Sequence, residues 1–191
     1  MVGRAEYMLS IAASSLSDVS LADTDLPGFK RYIKREPLGV ILVISPWNFP
    51  YLVAINSVLP AIIAGNAVLL KPSPQTPLVA ERFQRAFEAA GLPSGVMRAV
   101  HLGPEGVERA VKHELVDFVS FTGSVAGGQA VEKMATEANG FKGVALEVTI
   151  CTSLTLKLNT NTYLLIAWWE GSCVCSTRCR SRLHCGRTCR R

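Results

Sequence analysis

Five short stretches of the chain carry residue types that could do chemistry: Ser45-Pro46-Trp47-Asn48, Lys71-Pro72-Ser73, Gly103-Pro104, Phe121-Thr122-Gly123-Ser124 and Glu147. Lys71 is the only charge between Glu36 and Glu81 and closes an apolar run. It is either a solvated strand end or a binding group. Phe121-Thr122-Gly123-Ser124 stands before a helix-like segment, where free backbone N–H groups and the positive helix end suit a phosphate. The full G-x-G-x-x-G fingerprint is absent, so this stretch alone is a weak signal. Glu147 ends an apolar run and is either a solvent-facing carboxylate or a tuned acid/base group. Pro46 and Trp47 make either a packed turn or a functional one.

These stretches share a position: each stands at the end of a segment that reads as a strand. Residues 39–45 and 67–70 are buried apolar runs, and residues 96–102, 116–121 and 144–148 are three further strand candidates. Between them residues 51–64, 77–91, 105–112 and 124–138 read as helices, the second with Pro77 at its start and Gly91 past its end. Alternation at this pace predicts an α/β fold, a doubly wound, mostly parallel, Rossmann-like sheet that binds ligands at the carboxyl ends of its strands. Upstream, residues 5–16 have near-helical apolar spacing, residues 17–28 read as a polar loop, and residues 30–36 read as an exposed edge strand or a solvated linker.

Composition limits what these elements can serve. The net charge of +5 over 191 residues suggests a nucleic-acid partner only until it is divided along the chain. Residues 1–150 carry 13 Lys+Arg against 14 Asp+Glu, whereas residues 151–191 carry seven basic residues against Glu170 alone. All six cysteines also lie beyond residue 150. The expectation is therefore a cytoplasmic body with no nucleic-acid partner, no membrane span and no metal site. Three parts are expected: residues 1–28, the remnant of a preceding helical segment and its loop; residues 29–147, the α/β domain; and residues 148–191, a Cys/Arg-rich tail.

Five motifs sharpen this: PWNFP at 46–50, GNAVLLKPS at 65–73, AGLPSGV at 90–96, FTGS at 121–124 and VALE at 144–147. In this order they resemble the aldehyde dehydrogenase family over residues 29–147. The resemblance implies that Asn48 donates its side-chain amide to the oxyanion of a thiohemiacetal and that Glu147 is the general base that activates water against a thioester. It implies NAD or NADP as cofactor, with Lys71 on the adenine ribose hydroxyls, Gly123 and Ser124 at the pyrophosphate, and Trp47 lining the cleft. Ser45, Pro46, Ser73 and Gly103, at the same strand ends, join the cofactor-binding set. Intact relatives take a small-molecule aldehyde and are homo-oligomers, and residues 30–36 fall where they have an oligomerisation strand.

Two departures matter. Where many NAD-preferring relatives have a glutamate three residues after the lysine, this chain has Pro74, which leaves room for a 2′-phosphate. From Val148 the chain leaves the family's Glu-Leu-Gly-Gly-Lys continuation, and nothing matches the G-Q-x-C context of the family's nucleophile. The tail's cysteines and single His184 fit no C-x₂-C metal pair, and its charge comes with no ordered nucleic-acid motif. A retained intron followed by a frame-shifted exon explains more. Val148 is encoded by a codon beginning GT, an AG can fall across Ile166-Ala167, and the excised length is not a multiple of three. Read one base on, Ala167-Trp168-Trp169-Glu170 can spell Leu-Gly-Gly-Lys, both glycines being forced by the single Trp codon.

The sequence thus predicts a truncated aldehyde dehydrogenase, inactive because its nucleophile is absent. The alternative is a non-catalytic nucleotide-binding or interaction protein with a basic Cys-rich tail. A weak enzyme recruiting Cys179 or Cys185 is a more distant reading.

Overall fold

A computed structural model describes residues 1–21 and 31–148, without the side chain of Leu21. Its centre is β3 (Val40–Ile44), whose VILVI sequence is buried on both faces, as befits a middle strand of a parallel sheet. The chain runs on through α2 (Pro50–Ile63), β4 (Ala67–Lys71), α3 (Leu78–Ala89), β5 (Met97–Ala99), α4 (Pro104–Lys112), β6 (Phe118–Gly123), α5 (Val125–Thr136) and β7 (Gly143–Val148). The strands lie in the order β5-β4-β3-β6-β7 with every pairing parallel. The order reverses between β3 and β6, so the topological switch point lies there.

Alternation along β3 divides the core in two. Ile41 and Val43 face Ala54, Val58, Val79 and Phe83 of α2 and α3, whereas Leu42 and Ile44 face Val111 of α4 and Val131 and Ala135 of α5. Asn66, buried, fixes where β3 begins. Its side-chain oxygen accepts from the amides of Leu38 and Gly39 at 2.6 and 3.0 Å, and its amide donates to the Ala61 carbonyl of α2 at 3.0 Å. After α3 the chain reverses at Gly91, whose φ of 88° suits a residue without Cβ.

The first elements differ from expectation. Helix α1 (Val2–Leu16) packs on the same core, with Met8 buried among residues of α2 and α3. Within the expected polar loop, β1 (Val19–Leu21) pairs antiparallel with β2 (Arg31–Ile33). The 30–36 segment is thus half of a separate two-stranded ribbon and not an edge of the main sheet. Its Arg31, Tyr32 and Ile33 are all exposed, so no buried face gave the sequence a clean period there. Among the described residues, no helix is long and apolar enough to cross a membrane, and no group of His, Cys, Asp and Glu could hold a metal ion. Of the expected tail, Val148 ends β7, and residues 149–191, with every cysteine and the second intron border at Ile166-Ala167, lie outside the described residues.

Candidate functional site

The carboxyl edge of the sheet is a ruled line. Register places Lys71, Ile44, Phe121 and Leu146 in one row across β4, β3, β6 and β7. In the next row Thr122 pairs with Glu147, and Ser45 follows Ile44. With strands about 4.8 Å apart, β4 and β7 are about 14 Å apart. Successive rows point to opposite faces, so Lys71 belongs to the α4/α5 side, while Ser45, Thr122 and Glu147 belong to the α1/α2 side.

Lys71 is partly buried at the end of β4, and burial lowers its ammonium's pKa from the ordinary lysine value. No hydrogen-bond or ion-pair partner meets it among the described residues. Ser45, buried at the switch point, receives a place in the sheet through its amide, which donates to the Lys71 carbonyl at 3.1 Å. Its hydroxyl is buried with no partner among the described residues. Buried polar atoms are nearly always satisfied, so a partnerless ammonium on one face of this edge and an orphaned hydroxyl on the other each mark a place for a polar partner.

The turn after β3 is strained. Phe49, at the N-terminus of α2, has φ 46° and ψ 48° and is the one non-glycine residue with positive φ among those described. For a bulky residue this costs on the order of 1–3 kcal/mol. Trp47 and Phe49 are 59% and 73% exposed and Asn48 is exposed between them, so the loop presents its side chains and does not pack them. The packed-turn reading of Pro46-Trp47 therefore fails for Trp47. Nothing in the residue string itself announces the left-handed Phe49.

At β6 the glycines have a local cause. A Cβ on Gly123 or Gly127 would come within 2.8 or 2.7 Å of the Phe121 ring, which lies between strand end and helix. Glycine at both places lets α5 start close to the sheet. Ser124 is the N-cap of α5, its hydroxyl accepting from the Gly127 amide at 3.2 Å. The other first-turn amides have no partner within the helix and remain available to an anion. Gly103 caps α4 with open space around its Cα, and Ser73 accepts from the Gln75 amide at 3.3 Å. Gly103 stands well past the end of β5, outside the row that joins Lys71 to Leu146.

Glu147 closes the edge on β7. The residue is exposed, yet burial of its carboxyl raises the pKa, while the Thr122 hydroxyl, donating at 3.4 Å, and the charge of Arg4 pull it down. A proton acceptor whose affinity is set by opposing influences is suited to acid/base work. Asn48 and Glu147 stem from strands two places apart, so their backbones start about 10 Å from one another along the same edge.

Comparison with known proteins gives this edge a context. A model of the aldehyde dehydrogenase family matches residues 1–150, a span that takes in α1. 4-Trimethylaminobutyraldehyde dehydrogenase A of Danio rerio is 40% identical over 144 residues, covering 75% of this chain and 27% of the relative. Betaine aldehyde dehydrogenase of Hordeum vulgare is 35% identical over 189 residues, covering 94% of this chain and 37% of the relative. That alignment necessarily passes residue 150, into the segment that the intron reading treats as non-coding. Two solved structures superpose closely. The NAD-dependent benzaldehyde dehydrogenase of Corynebacterium glutamicum has a TM-score of 0.68 at 35% identity, covering 77% of this chain and 32% of that one. Succinic semialdehyde dehydrogenase of Streptococcus pyogenes, in complex with NADP+, has a TM-score of 0.69 at 29% identity, covering 76% and 31%. The chain thus spans 27% to 37% of the length of these relatives. By sequence and by fold, it belongs to the aldehyde dehydrogenase family.

Proposed function

We propose that residues 29–147 are the NAD(P)-binding part of an aldehyde dehydrogenase, contributing two of its catalytic groups. The observation that carries this is Lys71 itself, partly buried at the carboxyl edge on the α5 side of the sheet with no partner among the described residues. Its ammonium needs polar partners that the described chain does not supply. Ribose hydroxyls satisfy it, since the ammonium donates to them. The first-turn amides of α5, opened by Gly123 and capped by Ser124, suit the pyrophosphate, with Trp47 and Pro46 on the cleft wall and Ser73 and Gly103 at its rim. When bound, NAD(P)+ supplies the hydride acceptor. Pro74 puts no carboxylate beside Lys71, so a 2′-phosphate meets no repulsion there, and relatives of both kinds support either cofactor.

In this reading Asn48 holds the oxyanion that forms when a thiolate adds to the aldehyde, and Glu147 removes a proton from the water that releases the acid. No G-Q-x-C match occurs in the 191 residues, so turnover is not proposed for them alone. A cytosolic setting accords with the cysteine-free body, and the exposed Tyr32 and Ile33 of the β1–β2 ribbon accord with a homo-oligomer in intact relatives. Fluorescence titration with NAD+ and NADP+ of the purified chain carrying Trp168→Phe and Trp169→Phe, so that Trp47 alone reports, tests the proposal. Saturable quenching that Lys71→Met weakens supports it; a folded chain with no saturable response overturns it.

A further inference from the structure

Phe49 holds its left-handed backbone without help from its own side chain, which is 73% exposed. Such strain lasts only where the surroundings fix the chain on both sides of it. On one side stands β3, whose last residues are buried in the sheet; on the other stands α2, whose buried residues begin only at Ala54. The turn between them must be held as well, because a helix end with unpaired amides frays. Pro50 presets its own φ there, and Leu52 is exposed. Tyr51 reaches another element: its hydroxyl accepts from the Arg82 guanidinium of α3 at 2.8 Å, and its ring meets that of Phe83 with centroids 5.8 Å apart. Phe83 is itself buried and stacks on Phe87 at 6.3 Å. The first bond of α2, from the Val53 amide to the Phe49 carbonyl at 2.9 Å, joins this turn directly to the strained residue.

We propose that Tyr51, clamped to α3 by Arg82 and Phe83, is a positioning residue that keeps Phe49 left-handed and so aims Asn48 along the sheet edge. This rests on the reading of Asn48 as the oxyanion donor, since only there does its direction matter for chemistry. Asn48 stands immediately before Phe49, so the φ and ψ of Phe49 set how the Trp47-Asn48 loop is turned relative to α2. Trp47 and Asn48 are exposed and do not pack to hold themselves in place. A bulky residue released from such a constraint moves to the extended or right-handed region, and Asn48 would then be turned away. The clamp combines a hydrogen bond, which sets direction, with a ring contact, which sets how closely α2 approaches α3. A donor aimed before any ligand arrives has no reorganisation left to perform.

The test is nitrogen NMR of the full chain carrying isotope-labelled asparagine, with the Asn48 signals assigned through Asn48→Asp. Tyr51→Phe keeps the ring and removes the hydroxyl, whereas Arg82→Met keeps the aliphatic stem and removes the donor. Each is expected to shift the Asn48 signals similarly, and the two together no further than either alone, because both remove one bond. Asn66, at the opposite edge of the sheet, should keep its signals, which separates aiming from a general loosening. Asparagine tolerates the left-handed region, so in a Phe49→Asn background the shift caused by Tyr51→Phe should fall to about half or less. Asn48 signals left in place in both folded variants, or moved just as far in the Phe49→Asn background, overturn the proposal. Should Tyr51→Phe fail to fold, Arg82→Met decides in the same two backgrounds. The spectra read the loop and not ligand binding, so failure of the NAD(P) reading would show in the fluorescence experiment and not here.

Discussion

Lys71 and Glu147 stand at opposite ends of the same edge, about 14 Å apart by strand spacing, and on opposite faces of the sheet. Burial pushes both toward neutrality, yet the two are treated differently. Glu147 has internal company in the Thr122 hydroxyl and the Arg4 charge. Lys71 has none among the described residues. A group supplied with internal partners is held ready for a proton, whereas a group left without them is held ready for a ligand. In the proposed reading, one sheet edge thus separates binding from proton transfer by burial and company, using a single charge for each.

The largest expected effect strikes the platform that both groups share. Asn66→Ala removes three hydrogen bonds and leaves buried backbone groups unpaired at the start of β3, so stability should fall by about 1–3 kcal/mol or more. Urea unfolding checks this, and both ends of the edge should weaken together.

Lys71→Met separates them. Loss of hydrogen bonds from a charged group is worth about 1.5–3 kcal/mol, or roughly 10- to 100-fold in Kd, for NAD(P)+. Because the folded chain lowers the lysine's pKa, the ammonium costs stability in full below that folded pKa, and the cost is shed only as pH rises through it. At neutral pH the methionine variant should therefore bind poorly and unfold no more easily than its parent. A drop in stability as large as the drop in affinity would contradict the contrast drawn here.

Glu147→Gln should do the reverse to binding, leaving NAD(P)+ affinity nearly unchanged. Its folded pKa lies above the unfolded one, so the ionised carboxylate costs stability fully above the folded pKa, and the cost disappears as pH falls through it. The glutamine variant is thus expected to be more stable than the parent at neutral pH and equal to it in acid, which thermal melts at several pH values will show. Thr122→Val gives the smallest effect. A hydroxyl donating at 3.4 Å is a long, weak partner, so its loss should raise the Glu147 midpoint slightly and change stability by less than about 1 kcal/mol.

Much of this was legible in the residues. The apolar runs at β3 and β4, Pro77 before α3, Gly91 after it and the apolar run of β7 gave the parallel sheet, because each element's period and punctuation agree with its burial. Lys71 stood out because nothing nearby was charged. Legibility failed where the cause is tertiary. The β1–β2 ribbon has no buried face to write a period, and the strand expected over residues 96–102 is present as β5 but covers only Met97–Ala99. Gly123 drew notice as a phosphate signal, while its neighbour Gly127 was passed over; both are needed by the ring of Phe121, a requirement visible only once helix and strand are seen together. The clamp on Tyr51 went unnoticed for the same reason: its partner Arg82 is 31 positions away.

The central claim is that this edge holds NAD(P)+ through a cation left free for it. Calorimetric titration of the full chain with NAD+ and with NADP+ tests it most directly. The account predicts saturable, one-to-one binding of at least one of the two, weakened at least tenfold or so by Lys71→Met and untouched by Glu147→Gln. A folded chain that binds neither, or binds equally well with methionine at position 71, would contradict it.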